Sequence, residues 1–209
     1  TYLVKTADHS LYILQRVDQG VFKDVPGLIW NKVNISNHLQ QRLMHLSDKE
    51  RHRRVLIFVH NQNGKPYTVD QEGNYWNLMI YIDQSKTFET VKSAEVAYEG
   101  GKLFGEFLNL TSDFDPNKLI EVIPKFHDMD FRYAQFEDSL KKASKERLAS
   151  AKRHIDLVAV LKDEMHLLQK LKNTGKIKLR VTHNDTKISN ALFDLNNKGL
   201  CVIDTDTVM

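Results

Sequence analysis

The chain has 209 residues, 41% of them hydrophobic and 27% charged, with a formal net charge of +3. So mild a charge argues against a nucleic-acid binder or a membrane-surface protein, both of which carry strong basic patches, and no apolar run reaches the ~18 residues of a membrane span. The single cysteine, Cys201, excludes an internal disulfide and suits a reducing cytoplasm, and within Leu200-Cys201-Val202-Ile203 it reads as a small buried hydrophobe.

Residues 2–5 and 11–17 are β-rich runs separated by a turn at Ala7-Asp8-His9-Ser10. Over 26–46, Leu28, Ile35, Leu39, Leu43 and Leu46 recur at helical spacing, with Pro26 suited to a first helical turn. Residues 55–59 form a strand, Asn63-Gly64 a hairpin turn and 66–70 its return; a turn at Glu72-Gly73-Asn74 leads into a strand over 75–82. The sum is a mostly antiparallel sheet carrying one helix. After Asp83-Gln84-Ser85 the pattern turns helical over 87–110. Gly100-Gly101 in its middle weaken a helix by about 1 kcal/mol each relative to Ala, and such glycines permit close packing.

A short helix is expected over 118–122, then helices over 131–140 and 147–171, the last stopped by Gly175. The basic residues gathered between Lys141 and Arg153 read as a solvated helix face. The closing segment is β again: a strand over 177–182, a loop over 183–190, and a hairpin of strands 191–193 and 200–203 around a polar turn. The change of texture places a domain boundary near residue 84, giving 1–84 and 85–209. Thr1 enters a strand with no initiator Met, and Met209 follows closely on a pair of carboxylates, so the expectation is a piece of a longer protein, truncated at both ends.

The 183–190 loop reads His183-Asn184-Asp185-Thr186-Lys187-Ile188-Ser189-Asn190, a His-x-Asp with an Asn five residues after the Asp. That is the spacing of a phosphoryl-transfer catalytic loop. Asp185 can accept the proton of an attacking hydroxyl. Asn190 offers a hard carbonyl oxygen suited to Mg²⁺, and Asp204 a carboxylate for the same ion. Lys187 is placed to neutralise charge on phosphoryl oxygens, and His183 to buttress the loop. A hairpin brings its outer ends together, so Asp185 and Asp204 face one site.

These runs resemble the aminoglycoside phosphotransferase and choline kinase superfamily of protein-kinase-like folds. Within it, His183-Asn184-Asp185-Thr186-Lys187 together with Val202-Ile203-Asp204-Thr205-Asp206-Thr207-Val208-Met209 is most similar to the N-acetylhexosamine 1-kinase branch. So are Tyr12-Ile13-Leu14-Gln15-Arg16-Val17, Val21-Phe22, Val25-Pro26 and Ile123-Pro124-Lys125-Phe126-His127-Asp128. The resemblance implies an α+β, two-lobed kinase fold: an N-lobe antiparallel sheet with one helix, and a mainly helical C-lobe with a catalytic β-hairpin. It implies ATP at the lobe junction, Mg²⁺, and a hinge at Tyr81, Ile82 and Asp83 whose backbone meets adenine. On this map Asp185 is the base, Lys187 acts beside it, and Asn190 and Asp204 are metal ligands. Asp206 is either a further ligand to metal or substrate, or an acceptor behind them.

Protein kinases carry a strand Lys and a helix Glu. Here the strand offers Arg16 next to Gln15, and the 26–46 helix has no acidic residue. Arg16 is therefore either a bidentate phosphate clamp or simply exposed on its strand. Asp128 reads as a helix cap, with His127 open as an acceptor contact. The implied activity is transfer of the γ-phosphate of ATP to a sugar hydroxyl, the anomeric hydroxyl of an N-acetylhexosamine, in the cytoplasm and with neither nucleic-acid nor membrane partners. The alternatives are a kinase for choline or an aminoglycoside, and a non-catalytic ATP-binding kinase-like protein. Intact Asp185, Asn190 and Asp204 argue against the last, since a binding module has no need of a base.

Overall fold

Strands β1 (Tyr2–Lys5) and β2 (Leu11–Arg16) open the chain as a hairpin, turning through His9 at φ 67°. The structure, a computed structural model, describes residues 1–209. β2 pairs with β5 (Tyr75–Ile80), and β5 also pairs with the short strands β3 (Phe58–Val59) and β4 (Thr68–Val69), all antiparallel. Side chains alternate along a strand, so Gln15 and Arg16 point to opposite faces of β2.

Helix α1 (Val25–Arg42) starts where the Asp24 carboxylate accepts the Gly27 amide at 2.9 Å and Pro26 fills the first turn. It buries Leu28, Ile29, Ile35 and Leu39, and with them Lys32. It ends at Arg42, short of residue 46, and a second helix, α2 (Asp48–Arg54), follows. Its start is a capping box: the Ser47 hydroxyl accepts the Glu50 amide while Glu50 reaches back to the Ser47 amide. The stretch between β2 and β3 thus holds a second short helix after the one that the hydrophobic pattern showed.

The expected hairpin is present as β7 (Ala191–Asp194) and β8 (Gly199–Val202), and β6 (Ser85–Lys86) adds a third antiparallel strand against β7. Helix α3 (Ala94–Leu110) starts later than residue 87 because Ser93 caps it, its hydroxyl accepting the Val96 amide. Of its paired glycines, only Gly100 is a close approach. A Cβ there would lie 2.7 Å from Ile188 Cδ1, whereas Gly101 has nothing within 4 Å. Ile35, Leu39, Leu103, Phe107, Val181, Phe193, Val202 and Val208 form one core; Val17, Phe22, Val25, Leu28, Ile29 and Val122 form another.

Residues 118–122 do not make the expected helix beyond a single 3₁₀ turn at Pro116–Lys118. The buried Asn31 side chain takes the Ile120 amide (2.9 Å) and carbonyl (2.7 Å), so those groups cannot join a helical ladder. Residues 177–182 form no strand; Thr182 alone exchanges backbone bonds with Met209, at 3.2 and 3.4 Å.

By their internal contacts, residues 1–123 and 180–209 make one compact unit and residues 124–179 a second. The second consists of α4 (Met129–Lys142), α5 (Lys145–Val160), α6 (Lys162–Met165) and α7 (Leu167–Asn173). The single helix expected over 147–171 is thus interrupted at Leu161 and His166. His166 pairs with Asp130 and sets its ring edge-on to Tyr133. Asp128 caps α4 by accepting the Phe131 amide at 2.9 Å, as its sequence position implied. The basic stretch is solvated and tied by i,i+4 pairs, Lys142 to Asp138 and Lys152 to Asp156.

Candidate active site

His127 aside, every residue expected to carry chemistry lies in the unit formed by residues 1–123 and 180–209. His183 is buried at its base. Its Nε2 donates to the Ile203 carbonyl (2.9 Å) and its Nδ1 accepts the Asp185 amide (3.3 Å), with Phe104 and Phe107 edge-on to the ring. Burial holds this imidazole below the usual histidine range, so it buttresses the loop in neutral form. Asn184 takes the left-handed conformation (φ 63°) and donates to the Thr207 carbonyl at 2.9 Å, while the Thr207 hydroxyl donates to the His183 carbonyl at 2.7 Å. The 183–190 loop and the turn after β8 are thereby stitched together.

Asp185 Oδ2 accepts from Lys187 Nζ (2.7 Å) and from Asn190 Nδ2 (3.0 Å). The Lys187 bond, above all, holds the Asp185 carboxyl below the usual carboxylate range, and the same bond raises the Lys187 ammonium. Asn190, 4% exposed, also donates to the Asp185 carbonyl at 3.0 Å. With Nδ2 committed to Asp185, Oδ1 is the Asn190 atom left for a cation. Asp204, in the left-handed conformation at φ 57°, is pushed above the ordinary carboxylate range by burial and then by neighbouring Asp206.

Asn190 and Asp204 line a cavity of about 340 Å³ whose other walls include Ile13, Met79, Tyr81, Ile82 and Leu192. The volume falls within the ~300–1,000 Å³ of small-molecule sites. Tyr81 and Ile82 are thus among the residues that line this cavity. Asp83 is not among its lining residues: its carbonyl accepts from Arg53 at 3.2 Å and its carboxylate faces the same guanidinium.

Arg16 is exposed near the end of β2, opposite Trp76 and away from the cavity. Strand alternation sends Gln15 inward instead, where it meets a residue the motifs did not single out. Lys32 of α1, 2% exposed, donates to Gln15 Oε1 at 2.9 Å and to Asp206 Oδ1. Gln15 Nε2 donates to Asp206 Oδ2 at 3.0 Å, so both Asp206 oxygens are engaged. Phe58 packs beneath the ammonium, 5.5 Å from its ring centroid. Stranding either charge without the other would cost several kcal/mol. The sequence did carry a signal: Lys32 interrupts the Leu28, Ile29, Ile35, Leu39 face, a charge where helical spacing demands a hydrophobe.

The model of the "Phosphotransferase enzyme family" matches residues 1–209 of this chain. The chain belongs to that phosphotransferase family. Solved structures extend the likeness. An aminoglycoside phosphotransferase from Alicyclobacillus acidocaldarius superposes with a TM-score of 0.64 at 12% identity, covering 99% of this chain and 59% of that one. An amicoumacin kinase in complex with AMP-PNP, Ca²⁺ and Ami gives 0.61 at 15%, over 99% and 55%. A microcompartment-associated aminopropanol kinase gives 0.54 at 16%, over 100% and 61%. At such identities the shared property is the fold, and the phosphotransferase chain spans less than two thirds of each of these proteins.

The phosphotransferase residues fit a nucleotide and a divalent cation. No group of three His, Cys, Asp or Glu side chains forms a metal cage. A cation beside Asp204 and Asn190 would draw its remaining oxygens from phosphate and water, as Mg²⁺ does. The buried Asp204 carboxylate has its charge disfavoured, a penalty such a cation would remove.

Proposed function

We propose that this chain is the nucleotide-binding and catalytic-loop part of an ATP-dependent kinase that phosphorylates a hydroxyl of a small molecule, an N-acetylhexosamine at its anomeric position. The observation that carries the kinase reading is that Asn190 and Asp204 line one cavity with Tyr81 and Ile82, while Asp185 is hydrogen-bonded to Asn190 at 3.0 Å. The hexosamine rests on the resemblance of the His183–Lys187 and Asp204–Thr207 runs. In this reading residues 1–84 and 85–209 are the two kinase lobes, and the protein works in the cytoplasm. No helix of the chain is long and apolar enough to cross a membrane.

Bound ATP·Mg²⁺ supplies the transferable phosphoryl group and a cation that screens its charge. Ile13, Met79 and Leu192 enclose a planar base, and the backbone at Tyr81 and Ile82 meets its edge. Asn190 Oδ1 and Asp204 would hold the cation. Asp185 keeps Oδ2 on Lys187 and Asn190, which aims Oδ1 at the acceptor hydroxyl and gives it a fixed acceptor for the departing proton. A carboxylate held this low is a weak base, which suits a reaction whose transition state has little bonding to the nucleophile. Its larger part is orientation, while Lys187 adds positive charge beside the transferring group. Arg16, exposed and away from the cavity, has no part in this scheme.

The test is ATP consumption by the full-length protein with hexosamines, hexoses, choline, amino alcohols and aminoglycosides as acceptors. Turnover of N-acetylglucosamine or N-acetylgalactosamine with loss of the reducing end supports anomeric transfer; turnover with the reducing end intact moves the phosphate to another hydroxyl. Turnover confined to cationic acceptors replaces the substrate class and keeps the kinase.

A further inference from the structure

We propose that Lys32, carried by helix α1, is the residue whose charge binds the phosphates of the nucleotide, in a site where strand β2 supplies only a glutamine. The inference rests on the ATP-dependent reading above and assigns it a residue.

A polyphosphate entering this cavity meets the carboxylate of Asp204, with Asp206 behind it, and needs positive charge beyond what a metal ion brings. Lys32 is the one cationic side chain lining the cavity. Neither of the two other candidate cations lines it: Arg16 is exposed near the end of β2, and Lys187, beside the acceptor-binding Asp185, is paired with it at 2.7 Å. An ammonium has three donors. Gln15 Oε1 and Asp206 take two of those of Lys32, which leaves one N–H for a phosphate oxygen.

Thr205 makes an independent observation. It lines the same cavity, is 7% exposed, and its hydroxyl is buried without a protein partner. Buried hydroxyls are almost always bonded, so this one is a donor kept for something the chain does not provide. Lys32 and Thr205 together form a polar wall that the protein satisfies only in part.

The Lys32–Asp206 pair explains itself poorly as a stabilising device. Buried ion pairs are weak contributors that apolar residues of similar volume often replace without loss. Asp206 and Gln15 instead fix the position of the ammonium. The strand residue thus positions a cation belonging to the helix. That is also why the helix lacks an acid: its partner acid, Asp206, comes from the turn after β8.

The experiment is calorimetry of the full-length protein with ATP·Mg²⁺ and, separately, with adenosine. It compares the parent with Lys32→Met and with Lys32→Met/Asp206→Asn, each first shown by thermal unfolding to be folded. The double variant removes the charge that Lys32→Met alone would strand in the interior. A charge-assisted phosphate contact predicts that ATP affinity falls about 10–100-fold in the double variant while adenosine affinity stays at the parent value. ATP affinity restored to the parent value in the double variant would show that Lys32 only neutralises Asp206, and would overturn the proposal. Equal losses for ATP and adenosine would overturn it too, since the site would have collapsed as a whole. A parent that binds adenosine but gains nothing from the phosphates refutes the Lys32 assignment alone; a parent that binds neither refutes the nucleotide reading along with it.

Discussion

Replacing Gly199 by alanine should loosen the hairpin on which the site is built. Gly199 lies where β8 crosses α3, and a Cβ there would sit 2.9 Å from the Glu99 carbonyl oxygen and 3.0 Å from Leu103 Cβ. Neither atom is the free end of a side chain, so the strand and the helix must part. Overpacking of this kind costs about 1–3 kcal/mol. At about 2–4 °C per kcal/mol for a chain of this size, the melting temperature should fall by about 2–12 °C. The displacement reaches the site, because β8 leads into Asp204 and pairs with the strand that follows Asn190. ATP·Mg²⁺ affinity should therefore fall as well. Gly101→Ala is the control of opposite sign: its added methyl meets nothing within 4 Å. Removing a helix-interior glycine stabilises by about 0.5–1 kcal/mol, or about 1–4 °C. Circular dichroism melts of the three proteins decide the matter. A Gly199→Ala protein melting at or above the parent, or a Gly101→Ala protein falling as far as Gly199→Ala, would refute the packing argument.

Asp185→Asn should lower turnover about 10²–10⁴-fold with ATP affinity nearly unchanged, and steady-state kinetics retaining half the activity would remove Asp185 from its role. Because Lys187 holds the Asp185 carboxyl below its ordinary 3.8, it stays ionised at every working pH. It should therefore add no acid limb to kcat/KM above about pH 5, and a limb near neutrality that disappears in Asp185→Asn would contradict this. Asp204→Ala should abolish the Mg²⁺-dependent part of ATP affinity measured by calorimetry; an unchanged dependence on the ion would take Asp204 out of the metal site. Burial pushes the Cys201 thiol from 9.0 up to about 12, so the folded state favours the neutral form. Its stabilising contribution is full below pH 9 and is lost as pH rises from there to about 12. In urea unfolding above pH 9, the stability advantage of the parent over Cys201→Ala should shrink by up to about 1.4 kcal/mol per pH unit, and a constant advantage would show that the thiol is not held neutral.

Asp185, Asn190 and Asp204 are legible in the sequence because loop and hairpin are contiguous, so spacing alone specifies which ends meet. The N-terminal sheet, the buried stripe of α1 and the burial of Cys201 are legible for the same reason: alternation, helical periodicity and turn residues are properties of neighbours. Helix α2 was half legible, since its charged sequence has no apolar periodicity but its Ser47-x-x-Glu50 box stands in plain view. Strand β6 is two polar residues, a strand only because Phe193 and Asp194 lie across from it. The helix expected over 118–122 is lost to Asn31, 89 residues away, which takes the backbone of Ile120. Lys32 shows the limit most clearly. From the sequence it is a charge misplaced on an apolar face, while its acceptors lie 17 and 174 residues distant, on β2 and after β8. A buried ammonium must find oxygens wherever the folded chain brings them, and no local pattern encodes that choice, so tertiary structure alone decided that α1 supplies the cation and left Arg16 in solvent.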